Sequence, residues 1–345
     1  MNKLIKVTAV ILAACLASVF AGIRFLSARG YKRAENPQYT YKYYYEHYAD
    51  QYPRKEVKIP SRDKTLAGFI YGEENNKALL VFSHGSGGFH EDYMKDILWF
   101  VDHGYRVFAA DYTASGYSEG DYTGGLAKTP MDLDKVLTYI ENDEALSRMD
   151  KVLYGHSWGA YGVTAVLNYD HVIKAVASLA AYNDPAEQVA NILSRVLHPA
   201  LKVLRPMYWL NNVIDYGRYG TLTAVDGINK ADIPVLVVQG TGDQMISYDK
   251  SSIVADKKKI TNPKVQYMIF KEEGANDHDS FFFTPKAREI LKELNEKLGQ
   301  LNQAFNGHVP AKELEKLYAG LDKDTLNAPN EEFLSKVNAF FEASL

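Results

Sequence analysis

The chain has 345 residues, of which 46% are hydrophobic, 12% aromatic and 24% charged, a composition typical of a globular protein with a large core. Its net charge is -4 and both signs of charge are interspersed, so the sequence predicts no basic surface for a nucleic acid. With one cysteine, Cys15, the chain cannot build a disulfide framework or a cysteine zinc site by itself.

Residues 1–30 contain an uncharged apolar run from position 7 to position 23. As a helix this run spans roughly 25 Å, enough for a tilted membrane helix. Three interpretations stay open: an uncleaved anchor, a signal peptide cut after Ala21, and a lipoprotein signal with Cys15 as the lipidated residue. We expect a single anchor in the cell membrane with the main domain outside the cytoplasm, and a secreted or lipid-anchored form is the alternative.

Residues 31–54 form a tyrosine-rich linker. Its aromatic side chains suit either a membrane interface or a segment that covers the following domain. The remaining residues, 55–345, are predicted to form one domain.

In that domain, apolar strand segments alternate with helical patterns. The predicted strands are EVKIPS, TLAGFIYG, KALLVFSHG, YRVFAADY, KVLYGHS, IKAVASLAAYND, IPVLVVQGTGD and KVQYMIFKEEG. Alternation of this kind favours right-handed crossovers and an α/β fold, with a mostly parallel central sheet covered by helices on both faces.

The loop after the third predicted strand reads SHGSGG. Its glycines allow the backbone to approach a substrate closely, so the N–H of Ser86 is a candidate donor to an oxyanion. A phosphate-binding loop is the rival interpretation, but the Lys-Ser/Thr ending of such a loop is missing.

The fifth predicted strand ends in GHSWG, which places Ser157 between two glycines and directly before a helix. A strand, a sharp turn and a helix are the context of a nucleophile elbow. We therefore predict that Ser157 is a nucleophile and that the N–H of Trp158 completes a two-donor oxyanion hole.

Residues 185–231 interrupt the alternation with amphipathic helices. They are predicted to form a helical lid over the site, and a helix pair packed on the sheet edge is the alternative.

Two later strands are followed by the acid and the base that a nucleophilic serine requires. Asp243 follows the strand IPVLVVQG, and His278 lies in the loop after the last predicted strand. Their order fits a Ser-Asp-His triad, with Asp184 as a weaker candidate acid. Asp277 and Asp279 are interpreted as solvated or loop-ordering residues. His84 and His156 are expected to orient turns, and the other histidines to lie on surface helices or connectors (His47, His90, His103, His171, His198 and His308).

The sequence resembles the α/β-hydrolase superfamily, in its esterase-like and serine-aminopeptidase-like branch, over roughly residues 55–345. The motifs HGSGG, GHSWG, GTGD and NDHD carry the resemblance together. The segment DYTASGYSEG is similar to a motif of that branch, except that Thr113 and Ala114 replace arginine and glycine. A second departure is the presence of extra helices at about residues 285–328.

The resemblance implies a serine hydrolase that cleaves an ester, thioester or related acyl bond of a small-molecule substrate, without a cofactor. A peptidase of the same fold and a non-catalytic, membrane-tethered binding module are the alternatives. No metal-binding motif is present, and the sequence assigns no oligomeric state.

Overall fold

The computed structural model describes residues 3–33 and 37–345. Its strands are β1 (Arg54–Ser61), β2 (Lys64–Tyr71), β3 (Leu79–Ser83), β4 (Arg106–Ala110), β5 (Lys151–His156), β6 (Ala175–Leu179), β7 (Val235–Gly240) and β8 (Val265–Phe270). Its α-helices are α1 (Lys3–Gly30), α2 (Tyr45–Tyr48), α3 (Met94–Asp102), α4 (Thr129–Asn142), α5 (Trp158–Ala165), α6 (Pro185–Val196), α7 (Arg205–Tyr216), α8 (Ala224–Ala231), α9 (Pro285–Ala304), α10 (Ala311–Ala319), α11 (Lys323–Asn327) and α12 (Glu331–Glu342).

The eight strands form one sheet in the order β1-β2-β4-β3-β5-β6-β7-β8. The pairs β1–β2 and β2–β4 are antiparallel, and the other pairs are parallel. Strands β3, β5, β6 and β7 are buried along their whole length, which explains their continuous apolar sequences. The predicted α/β architecture is confirmed, and β5 lies near the centre of the sheet.

Two apolar clusters cover the two faces of the sheet. One contains Leu133 and Val136 of α4 together with Trp158 and Val163 of α5. The other contains residues of helices α3 and α12. The site at the end of β5 therefore rests on a strand that is held from both sides.

The segment 185–231 contains three α-helices, α6 to α8, joined by 3₁₀ turns. Helix α6 packs on α7 and also contacts the loop after β7, where Gln188 donates to the Met245 carbonyl at 2.9 Å. The insertion thus lies against the loop that carries Asp243.

The carboxyl end of α1 packs against this insertion. Ile23 is buried among residues of α6 and α7, and Arg24 forms an ion pair with Asp215 at 2.5 Å. Across the described ranges, no helix combines the length and the apolar character that a membrane span requires. The membrane anchor stays a prediction.

The predicted linker contacts the domain through both its ends. Residues 31–33 add a short bridge to the loop before α4, in which Lys32 pairs with Tyr122. Tyr45 and Tyr52 pack against the cluster that contains α3 and α12. Residues 34–36 of the linker lie outside the described residues, as do residues 1–2 of the N-terminal segment.

One buried carboxyl group beneath the site has an unusual environment. Asp96 of α3 accepts a hydrogen bond from the Tyr154 hydroxyl at 2.9 Å, while its second oxygen has no partner among the described residues. Burial raises the pKa of Asp96 from 3.8 to about 6. The folded protein therefore carries a buried and incompletely bonded carboxylate at neutral pH.

We expect Asp96→Asn to stabilise the protein at neutral pH. Since the pKa is higher in the folded protein, the contribution of Asp96 to stability is complete below pH 3.8 and is lost as the pH rises through about 6. Asparagine removes the charge and keeps an acceptor for Tyr154, so the free energy of unfolding should rise by about 1 to 3 kcal/mol at about pH 8. Urea unfolding of both proteins across pH measures the difference. Equal stability at about pH 8, or a gain that persists at about pH 4, would contradict this explanation.

Candidate active site

Ser157 stands at a sharp turn between β5 and α5. Its backbone has φ 55° and ψ -114°, a left-handed conformation that is unfavourable for a residue with a side chain. Its N–H donates to the Leu179 carbonyl of β6 at 2.8 Å, which ties the turn to the neighbouring strand. The turn thereby lifts the serine side chain out of the end of the sheet.

The two glycines of the motif serve close packing rather than an unusual φ. A Cβ on Gly155 would lie 2.6 Å from the carbonyl oxygen of Gly159, and one on Gly159 would lie 2.6 Å from the carbonyl oxygen of His84. Neither distance leaves room for a methyl group. Helix α5 can therefore start directly against the ends of β5 and β3 only if both residues are glycine.

Ser157, His278 and Asp243 form a continuous chain of hydrogen bonds. The Nε2 atom of His278 lies 2.9 Å from the Ser157 Oγ, and its Nδ1 lies 2.7 Å from the Asp243 Oδ2. Because the carboxylate can only accept, Nδ1 carries the proton and Nε2 accepts from the serine hydroxyl. The structure brings these three predicted residues together at the carboxyl ends of β5, β7 and β8.

Asp243 is itself fixed by three donors. Its Oδ1 accepts from the N–H groups of Met245 and Ile246, both at 2.8 Å, and its Oδ2 accepts from the Gln239 side chain at 2.8 Å. The Asp243 side chain is fully buried. The carboxylate is thus held in one orientation toward the imidazole.

The electrostatics of His278 suit a base that gains a proton. Burial lowers the pKa of this histidine, but the hydrogen bond and charge of Asp243 outweigh burial, so the pKa is raised above 6.5. A neutral imidazole next to a carboxylate can take the proton of a serine hydroxyl and is then stabilised as a cation.

The predicted oxyanion donors stand beside Ser157. The Trp158 N–H belongs to the first residue of α5, where a helix offers no partner of its own. In the other loop, a Cβ on Gly85 would lie 3.6 Å from the Ser157 Cβ, so the backbone preceding Ser86 passes directly along the serine. Ser86 is exposed at the tip of that loop.

The chain is similar to a known protein family in sequence and to solved proteins in structure. Residues 74–218 match the family described as serine aminopeptidase, S33. An esterase from Pyrococcus furiosus has a similar structure, with a TM-score of 0.53 and 15% identity, over 79% of this chain and 98% of that chain. No curated protein matches the sequence.

The fold is that of the α/β-hydrolases.

Two further structures share it. Acetyl xylan esterase 1 from Thermoanaerobacterium is similar with a TM-score of 0.51 and 14% identity, over 75% of this chain and 88% of that chain. The acylaminoacyl peptidase of Pyrococcus horikoshii is similar with a TM-score of 0.51 and 17% identity, over 72% of this chain and 42% of that chain. At these identities the likeness shows the α/β-hydrolase fold, and the family match supports a hydrolase enzyme.

The alternative acid, Asp184, lies elsewhere in this fold. It caps the N-terminus of α6 by accepting from the Ala186 N–H at 2.7 Å, and it pairs with Arg205. Asp277 orders the histidine loop, since its Oδ1 accepts from the N–H groups of Asp279 and Ser280. Neither carboxylate replaces Asp243 beside His278.

Of the histidines expected on surface helices or connectors, His90 and His171 have largely buried side chains. His90 is fully buried, with Nδ1 2.8 Å from Asp111 and Nε2 3.0 Å from the Tyr71 hydroxyl. His171 is nearly buried between Asp134 and Glu141. A helical or connector position in the sequence gives no signal of such pairing, because each partner comes from a distant segment.

A cleft of about 1060 Å³ runs from His278 along helix α9. Its apolar wall includes Tyr41, Phe283, Leu291 and Tyr318, while exposed carboxylates line the histidine loop. The extra helices and the tyrosine-rich segment meet here, since Tyr39 stacks on Tyr318 and the Tyr43 hydroxyl donates to Asp324. The extra helices and the tyrosine-rich segment therefore border the same cleft.

One cluster in the described part of the chain combines side chains that metals favour. Ligand atoms of His156, His278 and Asp279 lie within 4.8 Å of one another. Both ring nitrogens of His278 are already engaged, Nε2 with Ser157 and Nδ1 with Asp243. His156 Nε2 lies 3.2 Å from the Asp279 Oδ1, so hydrogen bonds already occupy the groups of this cluster.

Proposed function

We propose that the protein is a serine hydrolase that cleaves an ester or related acyl bond through an acyl-enzyme intermediate. The observation that carries this proposal is the chain of hydrogen bonds from the Ser157 hydroxyl through His278 to Asp243. The structural likeness to two esterases and the strained turn at Ser157 support it.

In the proposed reaction, the Ser157 Oγ attacks the carbonyl carbon while its proton moves to His278 Nε2. The N–H groups of Ser86 and Trp158 donate to the oxyanion of the tetrahedral intermediate. The bond to the leaving group then breaks, and His278 returns the proton to that group. Water attacks the acyl-enzyme in the second half, with His278 again receiving and returning the proton.

Purified protein tests this function directly. We expect a fluorophosphonate probe to label Ser157 and p-nitrophenyl esters to be hydrolysed faster than aminoacyl p-nitroanilides. Absence of both labelling and ester hydrolysis in folded protein would overturn the proposal.

Peptide cleavage is the second candidate, because the matched family is described as serine aminopeptidase. Faster hydrolysis of the anilides in the same experiment would favour it. The cellular location of the protein stays a prediction. Cleavage, retention and Cys15 lipidation of the N-terminal segment are alternatives that also stay predictions.

The pH dependence of activity follows from His278. The imidazole must be neutral to act as a base, so activity should rise with pH through its pKa, and the raised pKa places this acid limb above 6.5. In Asp243→Asn the limb should move to lower pH, since the main charge that raises the pKa is gone, and kcat should fall by about 10⁴-fold. Profiles of kcat/KM against pH measure both. An unchanged limb in Asp243→Asn would show that Asp243 does not set the pKa.

A further inference from the structure

A second chain of hydrogen bonds passes behind the nucleophile and joins the two loops of the site. The Gly85 N–H, next to Ser86, lies 3.1 Å from the Tyr93 hydroxyl oxygen. The Tyr93 hydroxyl lies 2.8 Å from His156 Nδ1. His156 Nε2 in turn lies 3.2 Å from the Asp279 Oδ1 and 3.4 Å from the backbone carbonyl of His278.

The chemistry of the groups fixes the direction of each bond. The Gly85 N–H can only donate, so the Tyr93 oxygen accepts from it. In the neutral imidazole of His156, Nδ1 accepts from the Tyr93 hydroxyl, because Nε2 faces two acceptor oxygens and must carry the single proton. From there it is donated to the two oxygens of the histidine loop, one on Asp279 and one on the His278 backbone.

The environment keeps this arrangement in one protonation state. The His156 side chain is 5% exposed and packs edge-on against Phe282, with ring centroids 4.8 Å apart. Burial lowers the pKa of His156 well below its usual value, and the positive charge that His278 can carry lowers it further. The imidazole is therefore neutral at physiological pH, as the acceptor role of Nδ1 requires.

We propose that Tyr93 and His156 are positioning residues that hold the oxyanion loop and the loop of the catalytic histidine in register. This inference rests on the proposed function. Neither side chain touches the reacting atoms. They act through Gly85 on the Ser86 N–H and through the His278 backbone on the imidazole, and small displacements of such groups reduce catalysis strongly.

Steady-state kinetics on a p-nitrophenyl ester test the proposal with four variants. Tyr93→Phe and His156→Leu should each lower kcat about 10- to 100-fold with little change in KM, because positioning affects the transition state more than substrate binding. The double variant should lose no more than the more impaired single variant, since either change interrupts the same chain. His156→Gln, which offers an acceptor and a terminal N–H donor, should recover most of kcat.

Tyr105→Phe is the matched control. Its hydroxyl also donates to one side chain, Asn338, at 2.9 Å, but that contact lies away from the site. This variant should keep the wild-type kcat. Additive losses in the double variant, or equal losses in His156→Gln and His156→Leu, would overturn the proposal.

Nitrogen NMR of histidine-labelled protein gives a readout that does not depend on turnover. The His156 resonance, assigned by its disappearance in His156→Gln, should show the Nε2–H tautomer in the wild type and in Ser157→Ala. An Nδ1–H tautomer or a cationic ring would overturn the positioning chain even in an active enzyme. An inactive wild type with the Nε2–H tautomer would instead overturn the proposed function and leave the hydrogen-bond chain in place.

Discussion

Ser157→Ala is expected to abolish labelling by a fluorophosphonate and to lower kcat for an ester by about 10⁴-fold or more. Alanine removes the oxygen that lies 2.9 Å from His278 Nε2, so the proton transfer cannot occur and the acyl-enzyme cannot form. The remaining N–H donors and binding contacts would supply only residual catalysis. Gel labelling and steady-state turnover measure the two effects.

The variant should fold normally, because Ser157 makes its structural contact through the backbone N–H rather than through the side chain. Ser194→Ala, on helix α6, is the matched control and should retain labelling and turnover. If Ser157→Ala were labelled as strongly as the wild type, another residue would have to be the nucleophile.

Gly159→Ala is expected to lower the free energy of unfolding by about 3 kcal/mol or more and to abolish activity. The added Cβ would overlap the carbonyl oxygens of Ser83 and His84 at the end of β3, and backbone atoms of a buried strand cannot rotate away. Helix α5 would have to move, taking with it the Trp158 N–H. Urea unfolding and ester turnover measure the two consequences.

Gly299→Ala provides the matched control, since Gly299 lies within helix α9 and a Cβ there meets nothing within 4 Å. This change should stabilise the protein by roughly 0.5 to 1 kcal/mol, because alanine favours a helix. A Gly159→Ala protein as stable as the wild type would mean that α5 can withdraw from β3 without cost.

The sheet could be predicted from sequence because burial on both faces leaves a direct pattern. Strands such as β3 and β5 are continuous apolar runs, and each of the eight predicted segments overlaps a strand of the sheet. Residues at strand ends could be predicted for the same reason. Once the strands are placed, Ser157, Asp243 and His278 follow at one edge.

Contacts between distant side chains could not be predicted in this way. The pairing of His90 with Asp111 and the role of Tyr93 depend on which side chains the folded loops bring together. The sequence indicates that His156 orients a turn, but it does not indicate that His156 contacts the loop that carries His278. The glycines of GHSWG flank the turn, but their physical role is close packing, and the unusual φ falls on Ser157.

The contacts of residues 23–33 determine how much of the N-terminal segment the domain needs. Arg33 donates through its side chain to the carbonyl oxygens of Gly116, Ser118 and Gly120, and Ile23 is buried against the insertion. A peptidase cut after Ala21 would leave all these residues on the mature chain. A recombinant protein that starts at residue 55 would lose them, so the shortest unit that keeps these contacts both to the loop before α4 and to the insertion begins close to residue 22.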